Sequence, residues 1–275
     1  MNVLITGCRS GFGLLAAVSA ARAGHTVYAG LRDLSSAGDL RAAAGNLPVH
    51  PVQLDVTDAE QRDAVVAEIT AKHGAVDALV NNAGIGLGGP LEELTEAELR
   101  KLFEVNFFGL WALTNAVLPG MRDQGRGHII NVSSMAGRMA MPCLGAYAAT
   151  KHAVTGMSEA LRHEVRDFGV QVVVVEPGPY KTDIFGRNRN IAAAAERADS
   201  PYADLVSRMD RLSVKAEKSA GDAQDVADRI VDLLANDSPP FRNPMGATAL
   251  PRILARWILP PRAFETLIRT AIKKG

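Results

Sequence analysis

Tyr147 and Lys151, in the segment AYAATKHAV, are the pair of side chains best placed by their spacing to move a proton. Four residues apart in a helical segment, they are expected to share one face, one turn from each other. A phenol has a pKa of about 10 and is a poor acid–base catalyst at neutral pH, but a nearby ammonium favours the phenolate and lowers that pKa. Because Tyr-x3-Lys pairs arise by chance in many helices, the position of this pair in the fold decides its meaning.

A glycine-rich turn follows the first apolar run, residues 2–6, and leads into a helical pattern from residue 11. Glycines let the backbone turn tightly and let a pyrophosphate come close, while a helix N-terminus offers free N–H groups and a positive dipole end. The strand–turn–helix context predicts a nucleotide phosphate site, and a turn without a ligand is the less favoured alternative. The predicted contacts are Gly7, Arg9, Ser10, Gly11, Phe12 and Gly13.

Short apolar runs alternate with Ala- and Leu-rich helical segments as far as Pro177. Runs that are apolar without alternation are typical of strands buried on both faces, and a strand–helix–strand rhythm is typical of a parallel sheet. We therefore predict an α/β fold, a doubly wound parallel (Rossmann) sheet with helices on both faces. The predicted strands are 2–6, 25–31, 48–56, 77–82, 127–134 and 169–177, and the predicted helices are 11–23, 58–73, 95–122 and 145–167.

Beyond Pro177 the alternation is lost. Residues 178–220 look irregular with a weak helical pattern at 203–212, and a helix at 221–236 precedes a last short strand within 238–246. Without a linker or a second apolar core, we expect a single domain over 1–275, with a substrate lid near 183–215 and a C-terminal helical extension at 249–275. This basic, amphipathic extension is expected to cover the pocket or pack on the sheet, with membrane contact as the less favoured alternative.

The composition is that of an ordinary globular protein, with 47% apolar and 22% charged residues and 30 basic against 30 acidic side chains. These values exclude a largely disordered chain, and the balanced charge gives no field that would attract nucleic acid. Two cysteines exclude a disulfide scaffold, and the six histidines show no metal-ligand spacing. No apolar run reaches the ~18 residues of a membrane span, so we expect a cytoplasmic protein without a metal site.

Further motifs, in consistent order, give residues 1–185 a specific resemblance to the short-chain dehydrogenase/reductase family. The turn has the spacing Gly-x3-Gly-x-Gly, Asn81-Asn82-Ala83-Gly84 ends the fourth predicted strand, and Pro177-Gly178-x3-Thr182 follows the sixth. The Tyr147–Lys151 pair lies one strand after the asparagine motif. Runs such as VYAGLRDL and GPYKTDIF are similar to the 17β-hydroxysteroid and retinol dehydrogenase branch of this family.

The resemblance implies a catalytic set of Asn106, Ser134, Tyr147 and Lys151. The family's substrate-orienting serine lies thirteen residues before the tyrosine, which favours Ser134 over its neighbour Ser133. The family asparagine, here Asn106, holds a water in a proton relay, with a buried structural amide as the alternative. Further implied cofactor contacts are Asp55 and Val56 (Asp55 alternatively capping the helix near 58), Asn82, Ala83, Gly84, Tyr147, Lys151, Pro177, Gly178 and Thr182.

The residue that ends the second strand usually distinguishes the two nicotinamide dinucleotides. An acidic side chain there binds the ribose 2′-OH and repels a 2′-phosphate, but here Leu31 holds the position and Arg32 follows. Because a guanidinium suits a phosphate, we predict Arg32 as its ligand and NADP(H) as the cofactor. NAD(H) stays open because Asp33 is the acid if the register shifts by two, and because Ser10 stands where many NADP-preferring relatives carry a basic residue.

We expect an NADP(H)-dependent oxidoreductase that interconverts a hydrophobic secondary alcohol and its ketone, with Tyr147 as acid and base. Apolar residues between Ser134 and Tyr147, such as Met135 and Met139, are expected to line the substrate pocket, and a steroid- or retinoid-like substrate is the leading candidate. The alternatives are a non-catalytic dinucleotide-binding sensor or scaffold, and an NAD-dependent dehydrogenase of a smaller alcohol. Relatives often associate through the long helix after the asparagine motif, so the expected state is a homo-oligomer.

Overall fold

Seven parallel strands form the sheet of this structure, a computed structural model that describes residues 1–181, 190–197, 199–247 and 249–274. In space the strands follow the order β3-β2-β1-β4-β5-β6-β7, so the chain winds outward in both directions from the β1–β4 pair. The predicted doubly wound parallel sheet is confirmed. The strands are β1 (Asn2–Thr6), β2 (Thr26–Leu31), β3 (Val49–Gln53), β4 (Ala78–Asn81), β5 (Gly127–Val132), β6 (Val170–Pro177) and β7 (Arg242–Met245).

Helices cover both faces of the sheet. On one face lie α1 (Gly11–Arg22), α2 (Gly38–Ala44) and α8 (Ala223–Leu234). On the other lie α3 (Ala59–His73), α5 (Gly109–Asp123) and α6 (Gly145–Glu164). Successive strand residues point to opposite faces, and both Leu4 and Ile5 of β1 are fully buried. This two-sided burial explains why the strands are apolar without alternation.

The predicted helix 95–122 is interrupted in the structure. A capping box of Thr95 and Glu98 starts α4 (Glu96–Phe103), and a π-helical turn at Glu104–Phe108 joins it to α5. The wider turn accommodates an extra residue and buries Asn106 at its centre. Apolar periodicity does not reveal a single π turn, which is why the sequence predicts one continuous helix here.

The other differences lie where the sequence pattern is weak. The seven residues of α2 carry one large apolar side chain, Leu40, which is too little periodicity to predict a helix. The predicted pattern at 203–212 extends to a full helix, α7 (Ala203–Lys218). Of the predicted lid 183–215, residues 183–189 and 198 lie outside the described residues.

The C-terminal extension forms two helices, α9 (Ala249–Ile258) and α10 (Pro261–Lys274). α9 lies against β7, while α10 lies against α7 and α9. The extension therefore packs on the protein through these contacts. Among the described residues, no helix combines the length and the apolar content needed to cross a bilayer.

A buried carboxylate ties the end of β6 to the segment that follows β5. Glu176 has no exposed surface and accepts hydrogen bonds from Arg138 Nε at 2.8 Å and Nη2 at 2.7 Å. Arg242 of β7 approaches the same carboxylate at 3.2 Å and pairs with Glu159 of α6 at 2.8 Å. Because an uncompensated buried charge is costly, this ion network holds the segment, both strands and α6 in one arrangement.

Arg138→Ala leaves the buried Glu176 with Arg242 as its neighbouring cation. We expect the free energy of unfolding to fall by roughly 3 kcal/mol, as is typical when one partner of a buried ion pair is removed. Lys72→Ala is the matched control, because Lys72 pairs with Glu68 on the surface, where water screens the two charges and losing the pair costs little stability. Urea denaturation measures both losses, and equally small losses would contradict a stabilising role of the network.

Candidate functional site

The carboxyl ends of the strands meet at one edge of the sheet and border a cleft of about 1100 Å³. Doubly wound folds bind ligands at this edge, where the strand order reverses, and here that point lies between β1 and β4. Gly13 and Asn106 are buried behind the cleft lining, and Thr182 lies outside the described residues. The predicted site residues that line the cleft are Gly7, Arg9, Ser10, Gly11, Phe12, Arg32, Asp55, Val56, Asn82, Ala83, Gly84, Ser134, Tyr147, Lys151, Pro177 and Gly178.

The glycine turn presents the N-terminus of α1 to the cleft. Ser10 directly precedes α1, yet its side chain caps no backbone N–H, so the N–H groups of the first turn lack a side-chain acceptor from this residue. Gly7 and Gly11 have positive φ angles of 71° and 57°, which favour glycine. A Cβ on Gly13 would lie 2.4 Å from the Gly7 carbonyl oxygen. The turn therefore needs its glycines, and its open N–H groups suit an anionic ligand.

Thr6, which the sequence motifs do not single out, joins this turn to the asparagine motif. Its hydroxyl oxygen accepts the backbone N–H groups of Asn82 at 2.9 Å and Ala83 at 2.8 Å. In return, Asn82 Nδ2 donates to the carbonyl oxygens of Thr6 at 2.9 Å and Gly7 at 3.2 Å. The Asn82 side chain thus holds the turn in shape, and the signal for Thr6 is its position as the last residue of β1, directly before Gly7.

Tyr147, Ser134 and Lys151 come together where β5, β6 and α6 border the cleft. Tyr147 lies in the first turn of α6, is buried, and is hydrogen-bonded to the Ser134 side chain. Lys151 lies one turn further along, with Nζ 5.7 Å from the centre of the phenol ring. The Lys151 ammonium donates to the Val132 carbonyl oxygen at 2.9 Å. The fold therefore assembles the predicted pair and the predicted serine into one cluster.

Burial sets the protonation of both titratable groups in this cluster. It raises the pKa of Tyr147 to about 12, with the Ser134 hydrogen bond acting in the opposite direction. It also lowers the pKa of Lys151 to about 8, because a buried ammonium loses its hydration. Helical spacing predicts that the Lys151 ammonium lowers the phenol pKa, but in the structure the pKa of Tyr147 moves in the opposite net direction. The reason is that desolvation of the phenolate outweighs the favourable contacts.

The two candidate serines face different surroundings. The Ser133 hydroxyl is buried against α6, where it donates to the Lys151 carbonyl oxygen at 3.1 Å and lies 2.9 Å from Thr155 Oγ1. The half-buried Ser134 hydroxyl accepts the Ala136 N–H at 3.1 Å and contacts Tyr147. This geometry supports the preference for Ser134.

Asn106 is held by the backbone of the segment after β4. Its Oδ1 accepts the Ile85 N–H at 2.8 Å, and its Nδ2 donates to the Ile85 carbonyl oxygen at 2.9 Å and to Thr150 Oγ1 at 3.2 Å. These hydrogen bonds hold the amide in place, and its role in a proton relay stays a prediction. A Cβ on Gly84 would lie 3.4 Å from Asn106 Oδ1 and 3.7 Å from Lys151 Nζ. Glycine at this position keeps space open between the amide and the ammonium.

Two guanidinium groups lie near one carboxylate after the end of β2. β2 ends at Leu31, and the exposed Arg32 and Arg9 both line the cleft. Asp33 accepts the Ser35 N–H at 2.8 Å and the Ser35 hydroxyl at 2.7 Å. These hydrogen bonds, and then the charges of Arg32 and Arg9, lower the pKa of Asp33. Asp33 is thus a turn cap at the position that the sequence analysis leaves open for an acid.

Asp55 and Val56, the predicted adenine contacts, follow β3 and line the cleft. Asp55 accepts the Thr57 N–H at 2.9 Å and its hydroxyl at 2.8 Å. The N-cap of α3 is Asp58, whose carboxylate accepts the Gln61 N–H. The alternative role of Asp55 as the cap of this helix is therefore wrong, because the helix begins one turn later than that role requires.

A second cavity, of about 560 Å³, is bordered by the segment after Ser134, α6, β7 and α9. The predicted substrate-pocket residues Met135 and Met139 line this cavity.

The cleft is bordered instead by Ile85, Tyr180 and Asn190, which sequence reasoning does not identify. Asn190 donates to the Gly86 carbonyl oxygen at 3.1 Å, a contact between distant segments that no sequence motif signals.

Within the described ranges, no group of three or more His, Cys, Asp or Glu residues is arranged to hold a metal ion.

Comparison with known proteins yields a family match and close relatives. The family model described as short chain dehydrogenase matches residues 1–193. The chain is 38% identical over 245 residues to a 3-ketodihydrosphingosine reductase of Bacteroides thetaiotaomicron, covering 89% of this chain and 87% of the relative. It is 36% identical over 251 residues to retinol dehydrogenase 8 of Homo sapiens, covering 88% of this chain and 80% of the relative.

Solved structures resemble the fold along most of the chain. A short-chain dehydrogenase from Streptomyces avermitilis is 36% identical with a TM-score of 0.83, covering 99% of this chain and 96% of that one. An alcohol dehydrogenase from Thermococcus sibiricus, complexed with 5-hydroxy-NADP, is 26% identical with a TM-score of 0.71, covering 89% and 95%.

Gly13→Ala tests whether the glycine turn holds nucleotide phosphates. The added methyl group would lie 2.4 Å from the Gly7 carbonyl oxygen, so the turn has to move. We expect affinity for NADPH, measured by calorimetric titration, to fall at least about tenfold because close backbone approach is lost. Gly38→Ala is the control, since a Cβ there meets nothing within 4 Å. Unchanged affinity in Gly13→Ala would exclude this turn as the phosphate site.

Proposed function

The chain belongs to the short-chain dehydrogenase family of oxidoreductases, and from that premise we propose that it is an NADP(H)-dependent enzyme that interconverts a hydrophobic secondary alcohol and its ketone. The observation that carries this proposal is the cluster of Ser134, Tyr147 and Lys151 on the same cleft as the open N-terminus of α1. One site thus combines groups for proton transfer with a cradle for an anionic cofactor.

The residues present fit a nicotinamide dinucleotide. The glycine turn and the first N–H groups of α1 would hold its pyrophosphate, Asp55 and Val56 its adenine, and Arg32 its 2′-phosphate. Gly84 supports the fit because a Cβ there would narrow the space beside Lys151 Nζ. Pro177 and Gly178 border the cleft next to the serine, on the nicotinamide side that the family motif indicates. Thr182, which lies outside the described residues, is proposed from the family motif to bind the carboxamide of the nicotinamide.

When bound, such a cofactor supplies or accepts the hydride. In reduction, the Tyr147 hydroxyl gives its proton to the substrate oxygen, and in oxidation the phenolate takes that proton back. The Ser134 hydroxyl donates a hydrogen bond to the same oxygen and stabilises its developing charge. The Lys151 ammonium favours the phenolate form once the proton has left. A water in the space beside Gly84, between Asn106 and Lys151, would carry the replacement proton.

A hydrophobic substrate is supported by the relatives and by the walls of the site. One relative is a 3-ketodihydrosphingosine reductase and another a retinol dehydrogenase, names that denote substrates with long apolar parts. Near the Asn190 segment, the cleft carries the apolar side chain of Ile85 and the ring of Tyr180, which packs against Phe12 with 5.7 Å between ring centres. A steroid- or retinoid-like alcohol or ketone remains our leading substrate class.

We further propose a cytoplasmic homo-oligomer. Phe108 and Trp111 are exposed by 47% and 49% where the π turn meets α5, an apolar pair suited to a subunit contact. Both cysteines, Cys8 and Cys143, are free thiols, which suits a reducing compartment.

Tyr147→Phe removes the group that exchanges the proton while leaving the ring in place. We expect NADPH binding to persist and turnover of hydrophobic ketones to fall by roughly 10²–10⁴-fold, the usual contribution of a positioned acid. Tyr28→Phe is the matched control, because Tyr28 is a buried tyrosine on the sheet that pairs with His73 away from the cleft. Equal, negligible turnover of wild type and variant across a broad carbonyl panel would favour the sensor or scaffold alternative.

Arg32→Ala tests the cofactor assignment. We expect the Kd for NADPH to rise by about 10–100-fold, the value of a charge-assisted contact to phosphate, with little change for NADH. Arg41→Ala, an exposed arginine of α2 that does not line the cleft, is the control. Equal losses for both cofactors would overturn the assignment, and a selective loss of NADH affinity in Asp33→Asn would support the NAD-dependent alternative.

A further inference from the structure

The outer side of α9 carries an unusually exposed apolar stripe. Among the large apolar side chains that the structure describes, Trp257 and Ile258 are the most exposed, at 81% and 73%, and Leu254 is 56% exposed. Residues at positions i, i+3 and i+4 of a helix share one face, so these three side chains form a continuous stripe. A contiguous apolar patch of this kind on a folded helix marks a contact surface.

The same helix is held on the protein by its other side. Ala249 is 1% exposed, Ile253 lines the cavity of about 560 Å³, and the Arg256 guanidinium lies 5.2 Å from the centre of the Phe264 ring. Phe264 of α10 is itself buried. Packing on this side therefore accounts for the inner residues of α9 and leaves the stripe without a partner among the described residues.

The charge around the stripe selects one kind of partner. On α10, the exposed charged side chains that the structure describes are three cations, Arg262, Arg269 and Lys273, and one carboxylate, Glu265. The chain as a whole has no net charge, so this basic character is local. A basic helical surface with exposed Trp, Ile and Leu is complementary to an anionic bilayer, where tryptophan favours the headgroup level.

We propose that α9 and α10 dock the protein on the surface of an anionic lipid bilayer, with the Leu254–Trp257–Ile258 stripe inserted at the headgroup boundary and the cations on lipid phosphates. Packing and membrane contact are compatible here, because the extension packs on the protein with one side and offers the other side to the bilayer. It requires no spanning helix, since the helices lie along the surface.

Docking here would bring lipid close to the proposed catalytic segment. Ile253 and Trp257 line a cavity that Met135 and Met139 also line, and Met135 directly follows Ser134. This consequence rests on the proposed function, because it matters only if Ser134 orients a substrate. A bilayer-dissolved alcohol or ketone would then reach the enzyme beside its active segment rather than through water.

Trp257 is itself the probe for the first experiment. The chain has two tryptophans, so Trp111→Phe leaves Trp257 as the single fluorophore. Adding phosphatidylglycerol-containing vesicles to the full-length Trp111→Phe protein should shift its emission to the blue, and lipids brominated in the acyl chain should quench it. Phosphatidylcholine vesicles and high salt should weaken both signals, because screening removes the attraction between charges. Unchanged emission with phosphatidylglycerol-containing vesicles would overturn the proposal.

Vesicle co-flotation separates the apolar contribution to membrane binding from the electrostatic one. A triple serine variant of the stripe should lower the partition constant on anionic vesicles at least about tenfold (Leu254→Ser/Trp257→Ser/Ile258→Ser). A triple glutamine variant of the cations should lower the same constant about a hundredfold (Arg262→Gln/Arg269→Gln/Lys273→Gln). The matched controls are Phe168→Ser, an exposed aromatic outside the extension, and Arg22→Gln/Arg41→Gln/Lys72→Gln, exposed cations on other helices; both should bind like wild type. Circular dichroism verifies that each variant is folded, and controls that lose as much binding as the tail variants would overturn the proposal.

Self-association through the stripe is the competing outcome. If sedimentation velocity without lipid shows a dimer that the triple serine variant abolishes, and wild type does not float with vesicles, the stripe is a subunit contact and the proposal fails. Tyr147→Phe separates this test from the proposed function: it should float like wild type whether or not the enzyme turns over hydrophobic ketones.

Discussion

The site depends on one constraint, that all seven strands run in the same direction. Parallel strands deliver the residues that follow them to a common edge, so the turn after β1, the asparagine motif after β4 and the serine after β5 become neighbours. The Thr6 hydroxyl makes this proximity specific, because it accepts two N–H groups of the asparagine motif while Asn82 returns hydrogen bonds to the turn. The shape of the cleft is thus a consequence of strand direction, fixed by a few buried polar contacts.

Burial has opposite consequences in different parts of the molecule. For Glu176 it is compensated by Arg138 and Arg242, and the resulting network holds the serine segment against the end of β6. For Tyr147 and Lys151 it is not fully compensated, so the phenol holds its proton more tightly and the ammonium more loosely than in water. Two buried groups whose charged forms are both disfavoured respond strongly to any further charge placed in the cleft.

The stretch from Ser134 to Met139 runs between the cleft and the cavity beneath α9. Ser134 borders the cleft, and Met135 and Met139 border the cavity. The C-terminal extension therefore borders the same cavity as the residues that directly follow the serine. An extension with apolar side chains on both its inner and its outer side can pack on the enzyme and still present a surface to a partner. From the sequence pattern alone, packing and partner contact look like alternatives.

The sequence by itself determined the strand–helix alternation, the buried parallel sheet, the glycine turn and the spacing of Tyr147 and Lys151, because these follow from local periodicity and short-range spacing. It did not reveal the π turn at Asn106, the ion network of Glu176, or the contact of Asn190 with Gly86, since these depend on residues far apart in the chain. The same reason explains the protonation of Tyr147: helical spacing places a lysine beside it, but only the packed structure determines how far both groups are removed from water, and that removal decides the direction in which the phenol pKa moves.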